Sequence, residues 1–351
     1  MRPTQSIPRG KIWRVPPPSL KRRAFLGGAL TASAGLIGSG CGRRGPSKGP
    51  LVLRLSHSMA PGRTALHAFG DMFRELVEAS TDGAVRVRVF PSGTLGQERE
   101  VVQQLQEGLV DFMVSGTAIW GSVAPRLQFF DFPFLWRDAD HVHGVTDGPV
   151  GGEAADYMEK AVRARPLAFS DSFGFRQVIT RSRDLVDPSA FAGLKIRTIQ
   201  SAIYVKTVEL MGGSATPMAF GEVYTSLETG VIDGYEHDAS TTLQQRFYEV
   251  AGFMARTRHI AGVLGLYASS AGMARVPRAI LPKIEEAAQE AARRHRAMGA
   301  GEDREAMAEL QAKGMTIRDL DRSIFLPRAE VLWQDQAREL DVARWLAAAR
   351  G

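Results

Sequence analysis

LQEGLVDF, residues 105–112, and LETGVIDG, residues 227–234, share the layout Leu-x-x-Gly-apolar-apolar-Asp. Each reads as the end of a helix, a glycine cap in the left-handed region at Gly108 or Gly230, and the start of a buried strand. A loop rich in Gly, Pro and Ser or Met precedes each helix: PSGTLGQ (91–97) and GGSATPMAFG (212–221). Two matching helix–Gly–strand units predict two lobes built on one plan. The surrounding sequence fits. LVLRLS (51–56) precedes an amphipathic stretch near 64–79, with Leu66, Phe69, Phe73, Leu76 and Val77 at helical spacing. VRVRVF (85–90) alternates strictly and stops at Pro91, helix EREVVQQLQE (98–107) follows, and LVDFMVS (109–115) reads as the next strand. This alternation predicts an α/β protein with mainly parallel sheets covered by helices.

From Leu51 onward the chain is long enough for two cores. Residues 277–312 read as one long helix with Pro277 in its first turn and Gly314 just past its end. About 35 residues at 1.5 Å each would span roughly 50 Å, so this helix is expected to cross both lobes, with Gly299 and Gly301 as points where it could kink. A further amphipathic helix is expected over 329–349. The expected division is 51–173 with 263–302 in lobe I, and 174–262 with 303–351 in lobe II.

The net charge of +6 belongs to the start of the chain. Residues 1–41 hold Arg2, Arg9, Lys11, Arg14, Lys21, Arg22 and Arg23 and no acid, and removing those seven charges from +6 leaves −1. A basic nucleic-acid face is therefore not expected. SLKRRAFLGGALTASAGLIGSGC (19–41) resembles a bacterial twin-arginine signal, with Arg22-Arg23 followed by Phe25 and Leu26. Its apolar run is too short and too weakly hydrophobic for a stable membrane anchor. Cys41, the only cysteine, stands where the run stops and resembles a lipoprotein cleavage site, although Gly38 occupies the place where that pattern has Leu. Residues 1–41 are thus expected to be a signal for extracytoplasmic, periplasmic export, lipidation at Cys41 is left open, and 42–50 reads as a flexible linker. One thiol forms no internal disulfide.

VIDGYEHD (231–238) crowds Asp233, Glu236, His237 and Asp238 into six positions. Ser115 and His237 each lie four residues after the aspartate of their repeat, at the carboxyl end of a strand, where open α/β sheets bind ligands. Both are expected in a cleft between lobes. Arg197 ends the strand-like LKI and Arg176 lies in a Gly/Phe-rich turn. Such arginines can clamp a carboxylate or serve as ordinary salt-bridge residues. His57 and Arg63 belong to the loop SHSMAPGR (56–63), expected to face the cleft, while Tyr224 and Trp120 are either pocket walls or core. His141 and His143 read as the start of a helix capped by Asp138. His-Glu-x-x-His and P-loop patterns are absent from the sequence.

In residues 51–330 the chain closely resembles the solute-binding proteins of tripartite ATP-independent periplasmic (TRAP) transporters, of dicarboxylate-binding type. The resemblance lies in FPSGTLGQERE (90–100), LVDFMVSG (109–116), DFPFLWRDADHVHGVTDG (131–148), GLKIRT (193–198), TPMAFGEVY (216–224) and DGYEHD (233–238). It implies a two-lobed periplasmic-binding-protein fold whose hinge closes on a small organic acid for delivery to membrane subunits. By the same resemblance Arg197 clamps the ligand carboxylate, Arg176 is a second pocket arginine, Phe220 packs on the ligand and Glu98 accepts from ligand hydroxyls. His237 falls where many relatives carry Asn, and Glu236 lies near a position that in some relatives holds a ligand-bridging metal ion. The expectation is therefore a non-enzymatic, monomeric binding protein without cofactor, taking a sugar acid in preference to a C4-dicarboxylate because Glu98 would repel a second carboxylate. The competing expectations are an exported metal-assisted lyase or hydrolase using Glu236, His237 and Asp238, and a ligand sensor for a receptor kinase.

Overall fold

The structure, a computed structural model, describes residues 49–351. The leader and Cys41 lie outside the described residues. The chain first lays down β1 (Leu51–Ser56), α1 (Ala65–Ser80), β2 (Val85–Phe90), α2 (Glu98–Glu107), β3 (Phe112–Gly116), α3 (Ala139–Thr146), α4 (Pro149–Val162) and β4 (Ala164–Asp171). It then crosses to β5 (Arg176–Thr180), β6 (Lys195–Thr198), α5 (Ala202–Met211), β7 (Ser214–Pro217), α6 (Val223–Thr229), β8 (Gly234–His237), α7 (Ala239–Gln244) and β9 (Phe253–Ile260). It returns through β10 (Val263–Ser269), α8 (Ser270–Met273) and α9 (Leu281–Gly299), and ends with α10 (Glu302–Ala312), β11 (Thr316–Asp319), α11 (Leu326–Glu339) and α12 (Ala343–Arg350).

These strands form two sheets, ordered β2-β1-β3-β10-β4 and β11-β9-β5-β8-β6-β7. Four of the five strands in the first and five of the six in the second run the same way, as the alternation suggested, but both sheets are mixed. In each, one strand runs against both of its neighbours: β10 in the first and β5 in the second. They are the strands by which the chain arrives from the other sheet. Direction depends on where the chain comes from, which a local pattern does not carry.

The two repeats occupy equivalent places. Gly108 and Gly230 cap α2 and α6 with φ of 76° and 78°. The side chain of Asp111 accepts from the backbone N–H of Arg54 in β1 (2.7 Å), and that of Asp233 accepts from the N–H of Lys195 in β6 (2.8 Å). Their carbonyls accept from Ser269 N and Arg181 N, at the ends of the antiparallel strands. Each aspartate thus ties its strand to both flanking strands, and the shared motif is a structural staple. The first repeat becomes regular strand only at Phe112, three residues later than the pattern predicted.

The helix expected over 277–312 is two helices. Ala300 is extended and Gly301 is left-handed at φ 94°. At Gly299 a side chain would overlap the Phe173 ring. Helix α9 packs on α1 and β4, whereas α10 packs on α7 and β11, so the break coincides with the passage between sheets. Helices α11 and α12 span both halves, and assigning all of 303–351 to the second lobe is too simple. The Trp333 and Trp345 indoles donate to Pro133 O (2.7 Å) and Glu153 (2.8 Å) on one side, and Arg328 donates to Leu210 O (3.1 Å) on the other. Among the described residues no helix is long and apolar enough to cross a membrane.

Connections 172–175, 261–262 and 300–301 carry the chain between sheets. Gly262 has φ 65°, and a Cβ there would run into Ser172 Oγ. Gly262→Ala should therefore cost about 1–3 kcal/mol, read as a fall in melting temperature. An unchanged melting point would mean that the crossing relaxes freely.

Candidate ligand-binding site

A cleft lies between the sheets, with about 490 Å³ of empty space counted up to and including its opening to solvent. Five of the expected residues line it: Arg176, Arg197, Phe220 and His237 from the second half, and Glu98 from the first. Ser172 and Gly262 in the crossings, and Val263 at the start of β10, add to the wall.

Arg197 is the third residue of β6, and this buried strand draws its guanidinium out of water, leaving the residue 2 % exposed. Nε and Nη2 donate to the Met218 carbonyl at 3.2 and 2.8 Å. Nη1 is buried and has no partner among the described residues. Burial lowers its pKa to about 10, with the charge of Arg176 adding to the effect and those of Glu236 and Glu98 opposing it. The group therefore stays cationic at neutral pH. A buried donor left unmatched is costly, and a carboxylate would satisfy both its charge and its free N–H.

Arg176, the first residue of β5, is already paired. Its Nε donates to Glu236 Oε2, and its Nη2 donates to Glu236 Oε1 at 3.0 Å and to the Glu236 carbonyl at 2.8 Å. Strand β8 sets Glu236 beside it on the same face. Burial would raise the Glu236 carboxyl, but the Arg176 charge and His259 hold it down at about 2. The guanidinium stands over the Tyr204 ring at 5.3 Å, and the Tyr204 hydroxyl donates to Asp131 (3.2 Å) in the other half.

Glu98 opens α2, where the Glu100 side chain accepts from the Gln97 backbone N–H (2.9 Å) and fixes the first turn, and Glu98 lines the cavity. Burial pushes its carboxyl up, against a Ser58 hydrogen bond and the charges of Arg197 and Arg176. His237 ends β8 and contacts Asp238 Oδ2 through Nδ1 (2.7 Å). Burial and Arg176 lower its pKa, so the ring is neutral near pH 7. With the proton on Nδ1 toward Asp238, Nε2 becomes an acceptor for a ligand hydroxyl. Phe220 sits in a short turn and packs against the cores of both halves.

Other expected site residues are placed elsewhere. Glu236 is fully buried behind the cavity and gives both carboxylate oxygens to Arg176, a donor set that does not fit a metal. Ser115 is enclosed, accepting from the Trp120 indole (3.2 Å), and Trp120 is core. Tyr224 reaches outward to Glu249 (3.2 Å). The loop SHSMAPGR does face the cavity, through Ser58 and Met59. His57 turns away to His67 (3.1 Å), and Arg63 pairs with Glu302. Asp238 is fully buried and caps α7 through Thr241 N at 2.6 Å. The sequence reading passed over Tyr204 and Ile199, which follow Arg197 within GLKIRTIQSAIYV; the fall from strand to helix there is the signal that would have placed them.

Two α/β halves joined by short crossings around one charged cavity are the architecture of a solute-binding protein. Residues 55–339 match the bacterial extracellular solute-binding protein family 7. The chain belongs to that family, the periplasmic solute-binding proteins of TRAP transporters. It is 30% identical over 261 residues to the 2,3-diketo-L-gulonate-binding periplasmic protein of Escherichia coli K12, covering 74% of this chain and 79% of that one. Among solved structures it is similar to a TRAP solute-binding protein of Polaromonas bound to D-erythronate, with TM-score 0.81, 27% identity, and 86% and 98% of the two chains covered. It is also similar to one of Citrobacter koseri with bound D-glucuronate, with TM-score 0.80, 26% identity, and 85% and 98% covered.

Proposed function

We propose that this chain captures a sugar acid in the periplasm and delivers it unchanged to the membrane subunits of a TRAP transporter. The observation that carries the reading is the buried, unpartnered Nη1 of Arg197 at the cavity. A ligand carboxylate fits there as a charge-assisted partner. Glu98 and the Nε2 side of His237 suit ligand hydroxyls, and Phe220 suits the face of a carbon skeleton. The relatives that bind diketogulonate, erythronate and glucuronate support the same class. In this reading the twin-arginine leader supplies export, a lipid on Cys41 would tether the linker, and the protein acts as a monomer without cofactor or turnover.

Thermal unfolding with D-glucuronate, D-erythronate or 2,3-diketo-L-gulonate tests it. A true ligand at 100 times its Kd adds about 2.7 kcal/mol of stability and is recovered intact. Failure of every organic acid to raise the melting temperature would sink the reading. Turnover abolished by a chelator would favour a metal-assisted lyase instead.

A further inference from the structure

We propose that the site accepts one carboxylate only, and that Glu236 sets this limit by holding Arg176. The proposal rests on the organic-acid reading above and adds the charge type of the ligand. Two arginines reach the cavity, which by itself would suit a dicarboxylate. Arg176, however, spends Nε and Nη2 on Glu236, both side chains being almost wholly buried. Arg197 makes no carboxylate contact and keeps a free Nη1. The two cations already face three carboxylates: Glu236, Glu98 at the cavity wall, and Asp238 behind His237. One added carboxylate has Arg197. A second would meet in Arg176 a cation whose charge is already paired with Glu236 through Nε and Nη2, and would approach Glu98 in a region of low dielectric, where like charges repel strongly.

Glu236 is thus a positioning residue for specificity. It touches Arg176 rather than the ligand and converts a potential two-cation site into a one-cation site. Glu98 enforces the limit at the cavity wall. Replacing either carboxylate by its amide leaves the shape nearly unchanged and shifts the charge by one unit.

Matched pairs of open-chain acids differing only in the oxidation of one terminal carbon read this directly: D-gluconate against D-glucarate, D-galactonate against galactarate, and D-erythronate against meso-tartrate. For wild type, the dicarboxylate of whichever pair binds should be at least about 100-fold weaker by titration calorimetry. In Glu98→Gln, a change at the half-buried cavity wall, that ratio should shrink about tenfold or more. In Glu236→Gln, measured at a temperature where circular dichroism shows it folded, it should shrink as well. A wild-type protein that binds both members of a pair equally, or only dicarboxylates, overturns the proposal. So does a ratio that neither variant moves. Binding of no acid in any pair would instead remove the organic-acid reading, and this inference with it.

Discussion

Arg197→Ala is expected to weaken sugar-acid binding by about 2–5 kcal/mol, a loss of some tens to thousands of fold in Kd, while leaving the free protein folded. The two effects separate because Arg197, unlike Arg176, has no carboxylate partner among the described residues and keeps a buried, unpaired Nη1. In the free protein its guanidinium is buried, bonded to a backbone carbonyl, and short of one partner. Removing it deletes an unmatched donor and leaves the Met218 carbonyl unpaired, two costs of similar size and opposite sign. The melting temperature of the free variant should therefore stay within a few degrees of wild type. Arg197→Lys should restore only part of the affinity, because a single ammonium cannot present the planar fork that meets Met218 O and a carboxylate together. Unchanged affinity in Arg197→Ala would remove this residue from the site.

Glu236→Gln has the reverse profile, acting first on stability. It strips Arg176 of its counter-charge within a wholly buried pair, and breaking such a pair by removing one partner costs about 3–5 kcal/mol. For a chain of this size that is a fall of several degrees or more in melting temperature. The double variant Arg176→Met with Glu236→Leu should recover much of the loss, since apolar residues of similar volume leave no uncompensated charge. The pH dependence follows from the depressed carboxyl. Its value falls from 4.5 to about 2 in the folded protein. The stabilisation is therefore complete above 4.5 and is lost as pH falls through about 2. Between those limits wild type should lose stability with acidification more steeply than Glu236→Gln. Parallel curves for the two proteins would show that the pair contributes nothing.

The residues that line the cavity were legible in the sequence to different degrees, for physical reasons. Arg197, Arg176, Phe220, Glu98 and His237 sit at strand ends or helix starts, which topology brings to the space between sheets. Their chemical type marked them as well. Glu236 was indistinguishable from them in VIDGYEHD. Adjacent residues of a strand face opposite ways, and only the pairing with β5 shows that its side chain meets Arg176 rather than the ligand. Ser115 failed for the same reason: it points into the core, and its neighbour Gly116 lines the cavity. Within SHSMAPGR the loop was placed correctly and the side chains were not, because Glu302 and His67, which claim Arg63 and His57, lie far off in the chain or on the next helix.

By itself the sequence determined that two α/β halves share one plan, because a glycine cap followed by a strand-tying aspartate is a local device that needs no distant partner to be recognised. It also determined which chemistries were on offer: arginines for an anion, a carboxylate and an imidazole for hydroxyls. Only the tertiary structure decided the direction of β5 and β10, the break between α9 and α10, and which of two buried arginines remained free. Each of those outcomes depends on a contact between segments far apart in the chain. For the arginines that contact is an ion pair formed across strands sixty residues apart, and it turns a cluster that resembled a catalytic or metal site into the structural support of a binding pocket.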